Sequence, residues 1–237
     1  MPTDVLDTVR RLLAKAAATP YEAEAMAFAA KAQALMTRHA IDDAMLDAGP
    51  GDDIGVTQLA MADPYASARF SLLSAVAAAN RCRAVYEPGL RAATLVGREL
   101  DRQHTELTFT SLLLQATGAM VRHGSVTDQR GINRTRAFRH SFLVGYAAEV
   151  GRRLDETNND VVQAAEPGVL PVLSSLEDRV DLVTDDHFPH LRRRRPSVSS
   201  GRGLDAGIDA GRRADIGARG VSQQPVLPGS EGAGPPR

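Results

Sequence analysis

Arginine side chains are the clearest candidates for chemistry in this 237-residue sequence. A guanidinium group binds phosphate through two parallel hydrogen bonds, so clustered arginines predict an anion or nucleic-acid site. One cluster begins a helix-like segment whose apolar face contains Phe138 and Phe142. The other is an uninterrupted basic run before a segment rich in proline and serine, which is typical of a flexible arm with salt-sensitive nucleic-acid affinity. The candidate anion-binding residues are Arg134, Arg136 and Arg139 in the first cluster and Arg192, Arg193, Arg194 and Arg195 in the second.

The charge pattern offers an alternative for the first cluster. Residues 130–153 hold six arginines and one acid, whereas residues 155–186 hold nine acids and one arginine. Segments of opposite charge can neutralise each other in the folded protein, and for the first cluster we favour this pairing over phosphate binding. The run at 192–195 then remains the feature most like a nucleic-acid contact. The net charge of −1 argues against a dedicated, uniformly basic nucleic-acid binder.

The densest group of metal-ligand side chains lies near residue 190. Pro189 interrupts any common helical face there, and neither an HExxH motif nor a pair of cysteines accompanies the group. We therefore predict no metal ion, although convergence of these side chains on one point stays open for Asp185, Asp186, His187 and His190.

The remaining acid–base side chains do not form a catalytic pattern. His39, close to Asp42 and Asp43, is interpreted as a cation at the C-terminal end of a helix, where the helix dipole favours it. His140 and Ser141 are neighbours on a helix, so they face apart and cannot form a nucleophile–base pair. We predict no catalytic residue and no cofactor.

Two amphipathic helices must form the N-terminal part of the chain. Apolar residues such as Val9 and Leu12 recur at helical spacing, and Thr19, Pro20 and Glu22 carry the signature of a capping box with proline at the first helical position. An alanine-rich helix follows and ends near residue 39. Alanine faces allow close approach, so we expect a compact αα-hairpin in a module of residues 1–47.

This module resembles a bacterial and phage family known as domain of unknown function 2786. The similarity covers residues 5–46 and rests on the VRRLL start, the EAEAMAFAAKAQALM helix and the closing H-A-I-D. The segment FRHSFLVGYAAEVGRRL at residues 138–154 is similar to the domain that usually follows this module. The resemblance implies an architecture, but no settled activity and no catalytic residues.

The remaining sequence predicts an α+β, helix-dominated fold. Residues 81–86 and 91–96 favour strands and flank a turn at Glu87-Pro88-Gly89-Leu90, which predicts an antiparallel hairpin. We also expect a short strand at 56–61, a helix capped by Asp63 with Pro64 in its first turn, helices over 99–123 and 134–154, an edge strand at 169–173, and a helix with a glycine face at 203–211. Residues 48–55 are predicted as a linker, 56–220 as the second domain and 221–237 as a disordered tail.

These observations favour a non-enzymatic binding or adaptor protein that contacts nucleic acid or another protein. Cys82 is the only cysteine, which indicates a reducing compartment, and no apolar run is long enough to span a membrane, so we expect a cytoplasmic protein. Two alternatives stay open. One is a hydrolytic enzyme with its site in the second domain near Glu99, Asp101 or His104, and the other is a module that only binds proteins.

Overall fold

The computed structural model describes residues 2–19, 24, 27–28, 31–38, 53–164, 169–192 and 196–216. Its helix-dominated α+β architecture confirms the predicted fold class. Residues 31–38 are helical, and the remaining elements, in chain order, are α1 (Pro2–Ala18), β1 (Gly55–Ala60), α2 (Ala66–Ala79), β2 (Arg83–Glu87), β3 (Ala92–Gly97), α3 (Glu99–Arg122), α4 (Thr135–Gln163), α5 (Val169–His187) and α6 (Gly201–Arg213).

The three strands form one antiparallel sheet in the order β1-β3-β2. The predicted hairpin is the pair β2 and β3, in which Val85 lies opposite Thr94. Strand β1 pairs with the other edge of β3 and places Thr57 opposite Leu95. All residues of the central strand β3 are buried, which explains its run of small and branched apolar side chains.

The N-terminal module has a small apolar core of its own. Helix α1 packs against the helical residues 31–38. Their buried apolar side chains form one cluster: Val9, Leu12, Ala32 and Met36. Helix α1 also contacts α3, so the module lies against the second domain. The predicted turn at Pro20 and Glu22, and the predicted helix end at His39 with Asp42 and Asp43, lie outside the described residues.

Helices α2, α4 and α6 build the main core around Leu72, Phe142 and Tyr146. The glycine face of α6 packs directly on α4, as the sequence predicted. A methyl group built on Gly207 would overlap the carbonyl oxygen of Phe142, and one built on Gly203 would overlap the carbonyl oxygen of Phe138. Only glycine permits the two backbones to approach this closely.

The structure corrects two predicted elements. Residues 169–173 are not an edge strand but the start of α5, whose buried side chains recur at helical spacing: Leu173, Leu176, Val180 and Thr184. Pro171 falls in the first helical turn, where backbone N–H groups have no intrahelical acceptor. Its missing N–H therefore costs no hydrogen bond. Helix α2 begins at Ala66 rather than at Pro64, and its N-cap is Tyr65 rather than Asp63.

The predicted boundaries of the module, the linker and the tail fall largely on residues 39–52 and 217–237, which lie outside the described part of the chain. Within the part that is described, no helix is both long enough and apolar enough to cross a membrane.

Candidate anion-binding cleft

An open cleft of about 900 Å³ lies where the N-terminal ends of α2 and α4 meet. Ligand pockets in proteins commonly have this volume. Four separate stretches of the chain line it, and its polar and aromatic lining residues are Asp63, Tyr65, Ser67, Tyr86, Asn133, Arg134, Thr135, Arg136, His140, Ser197 and Ser199. Two of the predicted anion-binding arginines, Arg134 and Arg136, are therefore brought into one concave site.

The first turn of α4 presents positive charge and backbone donors to this cleft. No side chain of the N-cap residue Arg134 bonds the first turn, and that turn contains no acid. Asn133 Oδ1 accepts a hydrogen bond from the backbone N–H of Thr135 at 2.9 Å. The next amides of the turn, at Arg136 and Ala137, have no intrahelical carbonyl partner because they lie in the first turn of the helix. The α4 terminus therefore combines a helix dipole, unused amides and two guanidinium groups.

Asp128 holds Arg134 in place at the edge of the cleft. Its carboxylate accepts the backbone N–H groups of Arg130 and Ile132 at 3.0 Å each and the Arg134 Nε–H at 3.0 Å. The Ile132 amide and then the Arg134 guanidinium hold the pKa of this half-buried carboxyl below its usual value. Arg134 is thus oriented but partly neutralised by Asp128.

Arg136 is the better-placed free cation. It is exposed, it lines the cleft, and no ion pair or hydrogen bond to its guanidinium occurs among the residues that the structure describes. Arg139 is half-buried, has a buried Nε without a hydrogen-bond partner, and does not line the cleft. The structure therefore separates Arg139 from Arg134 and Arg136.

The favoured pairing of these arginines with the acidic stretch is wrong for Arg134, whose partner is Asp128. Within the described part of that stretch, Asp181 pairs instead with Arg83, at 2.5 Å, and so attaches α5 to the sheet. The physical reason is the distance between the two charged regions in the fold. The first acids of the stretch lie towards the C-terminal end of α4, and α5 contacts β2 and β3.

The first turn of α2 forms the opposite wall. Its N-cap residue Tyr65 adopts a left-handed conformation with φ 74° and makes no side-chain cap, and the first turn again contains no acid. Ser67 lies in that turn, and its Oγ is 3.2 Å from Nε2 of His140 on α4. Tyr86 also lines the cleft, and its ring stacks on Phe70 with the ring centres 5.3 Å apart.

The second arginine cluster precedes, in the sequence, two serines that line this cleft. Arg192 is exposed, whereas Arg193, Arg194 and Arg195 lie outside the described residues. Shortly after the run, Ser197 and Ser199 line the cleft. The backbone N–H groups of Ser199 and Ser200 both donate to Ser141 Oγ, at 3.1 and 3.0 Å, which fixes the segment on α4.

The acid–base residues proposed for a hydrolytic enzyme do not meet in a cleft. Asp101 is buried between two arginines, Arg81 at 2.8 Å and Arg98 at 3.1 Å. His104 is buried one turn further along α3 and contacts Gln33, while Glu99 is exposed. Burial raises the pKa of Asp101, but the two arginines outweigh it and hold that pKa below its usual value. Asp101 is therefore a buried counter-ion.

The side chains near residue 190 are the densest group of candidate metal ligands in the sequence. Asp185, Asp186 and His187 are exposed at the end of α5, and His190 is exposed beyond it. Over the ranges that the structure covers, no three histidine, cysteine, aspartate or glutamate side chains lie together in a group able to hold a metal ion. Cys82 is buried, and burial raises the pKa of its thiol to about 12.

Sequence reasoning missed Ser67, Tyr65, Tyr86 and the role of His140. His140 was compared only with its sequence neighbour Ser141, whereas its partner lies 73 positions away. One signal was present, since neither α2 nor α4 contains an acid in its first turn.

The comparison with known families concerns the N-terminal module alone. Residues 4–43 match the family described as Protein of unknown function (DUF2786). The predicted resemblance of the module is confirmed. The DUF2786 match ends before β1, so it does not include the cleft between α2 and α4. No curated protein and no solved structure matches the chain.

Proposed function

We propose that this protein binds single-stranded nucleic acid and holds its phosphate groups in the cleft between the N-terminal ends of α2 and α4. The observation that carries the proposal is the convergence of two helix N-termini, both without an acid in the first turn and both without a side-chain cap from the N-cap residue, on a cleft lined by Arg136. Helix N-termini bind phosphate because their dipoles and unused amides both favour an anion.

The shape of the cleft favours a single strand over a duplex. A concave site of about 900 Å³ can enclose an unpaired nucleotide, whereas the phosphates of a duplex lie on convex ridges. Tyr65 and Tyr86 supply aromatic rings within the same site, and Phe70 supports the ring of Tyr86. Stacking of bases on aromatic side chains is the usual sequence-tolerant partner of backbone contacts in single-strand binding.

The arginine run at 192–195 extends this site in the proposal. The run precedes Ser197 and Ser199 in the sequence, and these two serines line the cleft. Such a run would add affinity through release of counter-ions from the phosphate backbone, so its contribution should fall steeply with salt. In this proposal the protein binds its ligand in the cytoplasm. Nucleic acid is present there, and the reducing environment keeps a single thiol reduced.

Fluorescence anisotropy with labelled oligonucleotides tests the proposal. We expect binding of single-stranded DNA or RNA at low salt, weaker binding of the matching duplex, and about tenfold or greater loss of affinity in Arg136→Ala, the range for one charge-assisted hydrogen bond. Arg122→Ala is the matched control, because Arg122 is an exposed arginine at the far end of α3 that does not line the cleft.

Two results would contradict the proposal. One is the absence of oligonucleotide binding at low salt, and the other is an affinity that Arg136→Ala and Arg122→Ala reduce equally. Replacement of Arg192, Arg193, Arg194 and Arg195 by alanine should lower the slope of log affinity against log salt by up to about three for single strands. An unchanged slope would remove the arm from the proposed site while leaving the cleft.

A further inference from the structure

Ser67 and His140 form a nucleophile-and-base geometry in the wall of the cleft. Ser67 Oγ and His140 Nε2 are 3.2 Å apart, at the upper end of the hydrogen-bonding range expected for such a pair without substrate. Ser67 is exposed and His140 is half-buried, so the serine is accessible to a ligand while α4 holds the imidazole. In the tautomer with its proton on Nδ1, the imidazole accepts the hydroxyl proton at Nε2.

The position of Ser67 in α2 supplies the second requirement of acyl transfer. Ser67 lies in the first turn, where backbone N–H groups have no intrahelical acceptor and point out of the helix end. An oxyanion that develops on a carbon attacked by Ser67 would face these amides and the positive end of the helix dipole. The amides of the α4 first turn and the Arg136 guanidinium face the same cleft.

Tyr65 holds this arrangement under backbone strain. A non-glycine residue with φ 74° is uncommon and costs free energy, and such residues persist where the surrounding structure fixes them, often at active sites. Here the strained residue is the N-cap of α2, two positions before Ser67, and its conformation sets the direction in which the helix and its first serine enter the cleft.

We propose that Ser67 and His140 catalyse acyl transfer from a carboxylic ester bound in this cleft. Ser67 Oγ attacks the ester carbonyl carbon, and its proton passes to His140 Nε2. The bond from the carbonyl carbon to the leaving oxygen then breaks, and His140 returns the proton to the departing alcohol. Water, deprotonated by His140, attacks the acyl-serine and releases the carboxylic acid, with the proton passing back to Ser67.

The chemical class of the substrate follows from the lining. The charged side chains of the lining are Arg134, Arg136 and Asp63, and two helix N-termini add positive potential to the excess of cations. The cleft therefore suits an ester whose acyl or alcohol part bears a phosphate or carboxylate group. Over the described residues no group of three metal-ligand side chains is present, and serine with histidine is the residue set of metal-independent acyl transfer. This activity is additional to nucleic-acid binding and does not depend on it.

A fluorophosphonate probe and p-nitrophenyl acetate test the proposal on the full-length protein. We expect covalent modification of wild type at Ser67, identified by peptide mass spectrometry, together with hydrolysis of the ester. Ser67→Ala should lose both. Ser175→Ala is the matched control, because Ser175 is an exposed serine of α5 that does not line the cleft, and it should retain both.

His140→Gln tests the base without removing a hydrogen-bonding side chain. We expect its rate of labelling to fall by roughly 100-fold or more, the range for a positioned general base. Circular dichroism checks that each variant is folded. Ser67 is exposed, so its replacement should leave the fold intact.

Three outcomes would overturn the proposal: no labelling of folded wild type, labelling at a residue other than Ser67, or equal labelling of Ser67→Ala and Ser175→Ala. Oligonucleotide affinity measured on the same preparations keeps the two proposals apart. Loss of labelling in Ser67→Ala with unchanged oligonucleotide binding supports acyl transfer whatever the role of Arg136. Labelling of Ser67 without any oligonucleotide binding contradicts only the nucleic-acid proposal.

Discussion

Gln33 Oε1 lies 3.0 Å from His104 Nε2, in a buried contact that joins the N-terminal module to α3. The amide nitrogen of Gln33 donates to Asn80 Oδ1 at 3.1 Å and to Asn158 Oδ1 at 3.2 Å. Thr37, one turn further along, donates to the same oxygen of Asn158 at 3.0 Å. Helical residues 31–38 are thus attached to α2, α3 and α4 through one glutamine and one threonine.

Replacement of Gln33 by alanine should separate the module from the second domain. The substitution removes the partner of buried Asn80 Oδ1 and of buried His104 Nε2, while Asn158 Oδ1 keeps its bond from Thr37. We expect a loss of about 1–3 kcal/mol in the free energy of unfolding. Urea denaturation measures the loss. Lys31→Ala, which changes an exposed residue of the same helical segment, should alter the stability by less than about 0.5 kcal/mol. Equal effects of the two substitutions would contradict a joining role for Gln33.

The stability of the protein should depend on pH through His104. Burial lowers the pKa of His104 to about 4, with Arg81 acting in the same direction and Asp101 opposing it. The histidine pKa is 6.5 in the unfolded chain. Between pH 6.5 and about 4, His104 is therefore protonated in the unfolded chain and neutral in the native state. The stabilisation by neutral His104 is complete above pH 6.5 and decreases as the pH falls towards about 4.

Urea denaturation across this pH range, in wild type and in His104→Gln, measures the effect. We expect the unfolding free energy to decrease less between pH 6.5 and about 4 in His104→Gln than in wild type. The reason is that the unfolded variant takes up one proton fewer in this range. His190→Gln is the control, because His190 is exposed. If the unfolding free energies of His104→Gln and wild type change in parallel with pH, the prediction that His104 is neutral in the native state is wrong.

Asp101 should be among the residues least tolerant of a neutral substitution. Its two carboxylate oxygens contact the buried guanidinium groups of Arg81 and Arg98. Asp101→Asn removes the negative charge that both buried cations contact, and we expect a loss of roughly 3–5 kcal/mol in unfolding free energy. Asp7→Asn, which breaks the exposed pair with Arg10, should cost less than about 1 kcal/mol. Thermal and urea unfolding compare the two variants.

A methyl group at Gly207 should disrupt the contact between α6 and α4. It would overlap the carbonyl oxygen of Phe142, which is backbone and cannot rotate away. We expect Gly207→Ala to lose roughly 3 kcal/mol or more of unfolding free energy, at the upper end for overpacking. Gly201→Ala, which adds a methyl group at an exposed position of the same helix with no atom nearby, should have little effect. A stable Gly207→Ala protein would contradict the close approach of the two helices.

Local patterns in the sequence were sufficient for most of the secondary structure. The hairpin of β2 and β3 was predictable because strand-favouring runs flank a turn that contains proline and glycine. The start of α5 was not, because Pro171 is compatible with an edge strand and equally with a first helical turn. Whether a helix forms there depends on what its apolar face packs against, which is a long-range property.

The amino-acid sequence by itself determined the helix-dominated α+β class, the DUF2786-like module and the two arginine clusters, since all three follow from spacing over a few turns of chain. The tertiary structure alone decided that Arg136 has no acidic partner within the described residues while Arg134 is bound by Asp128. It also decided that His140 meets Ser67 rather than Ser141. These contacts join residues far apart in sequence, and their geometry is fixed by the packing of α2, α4 and α6 against one another.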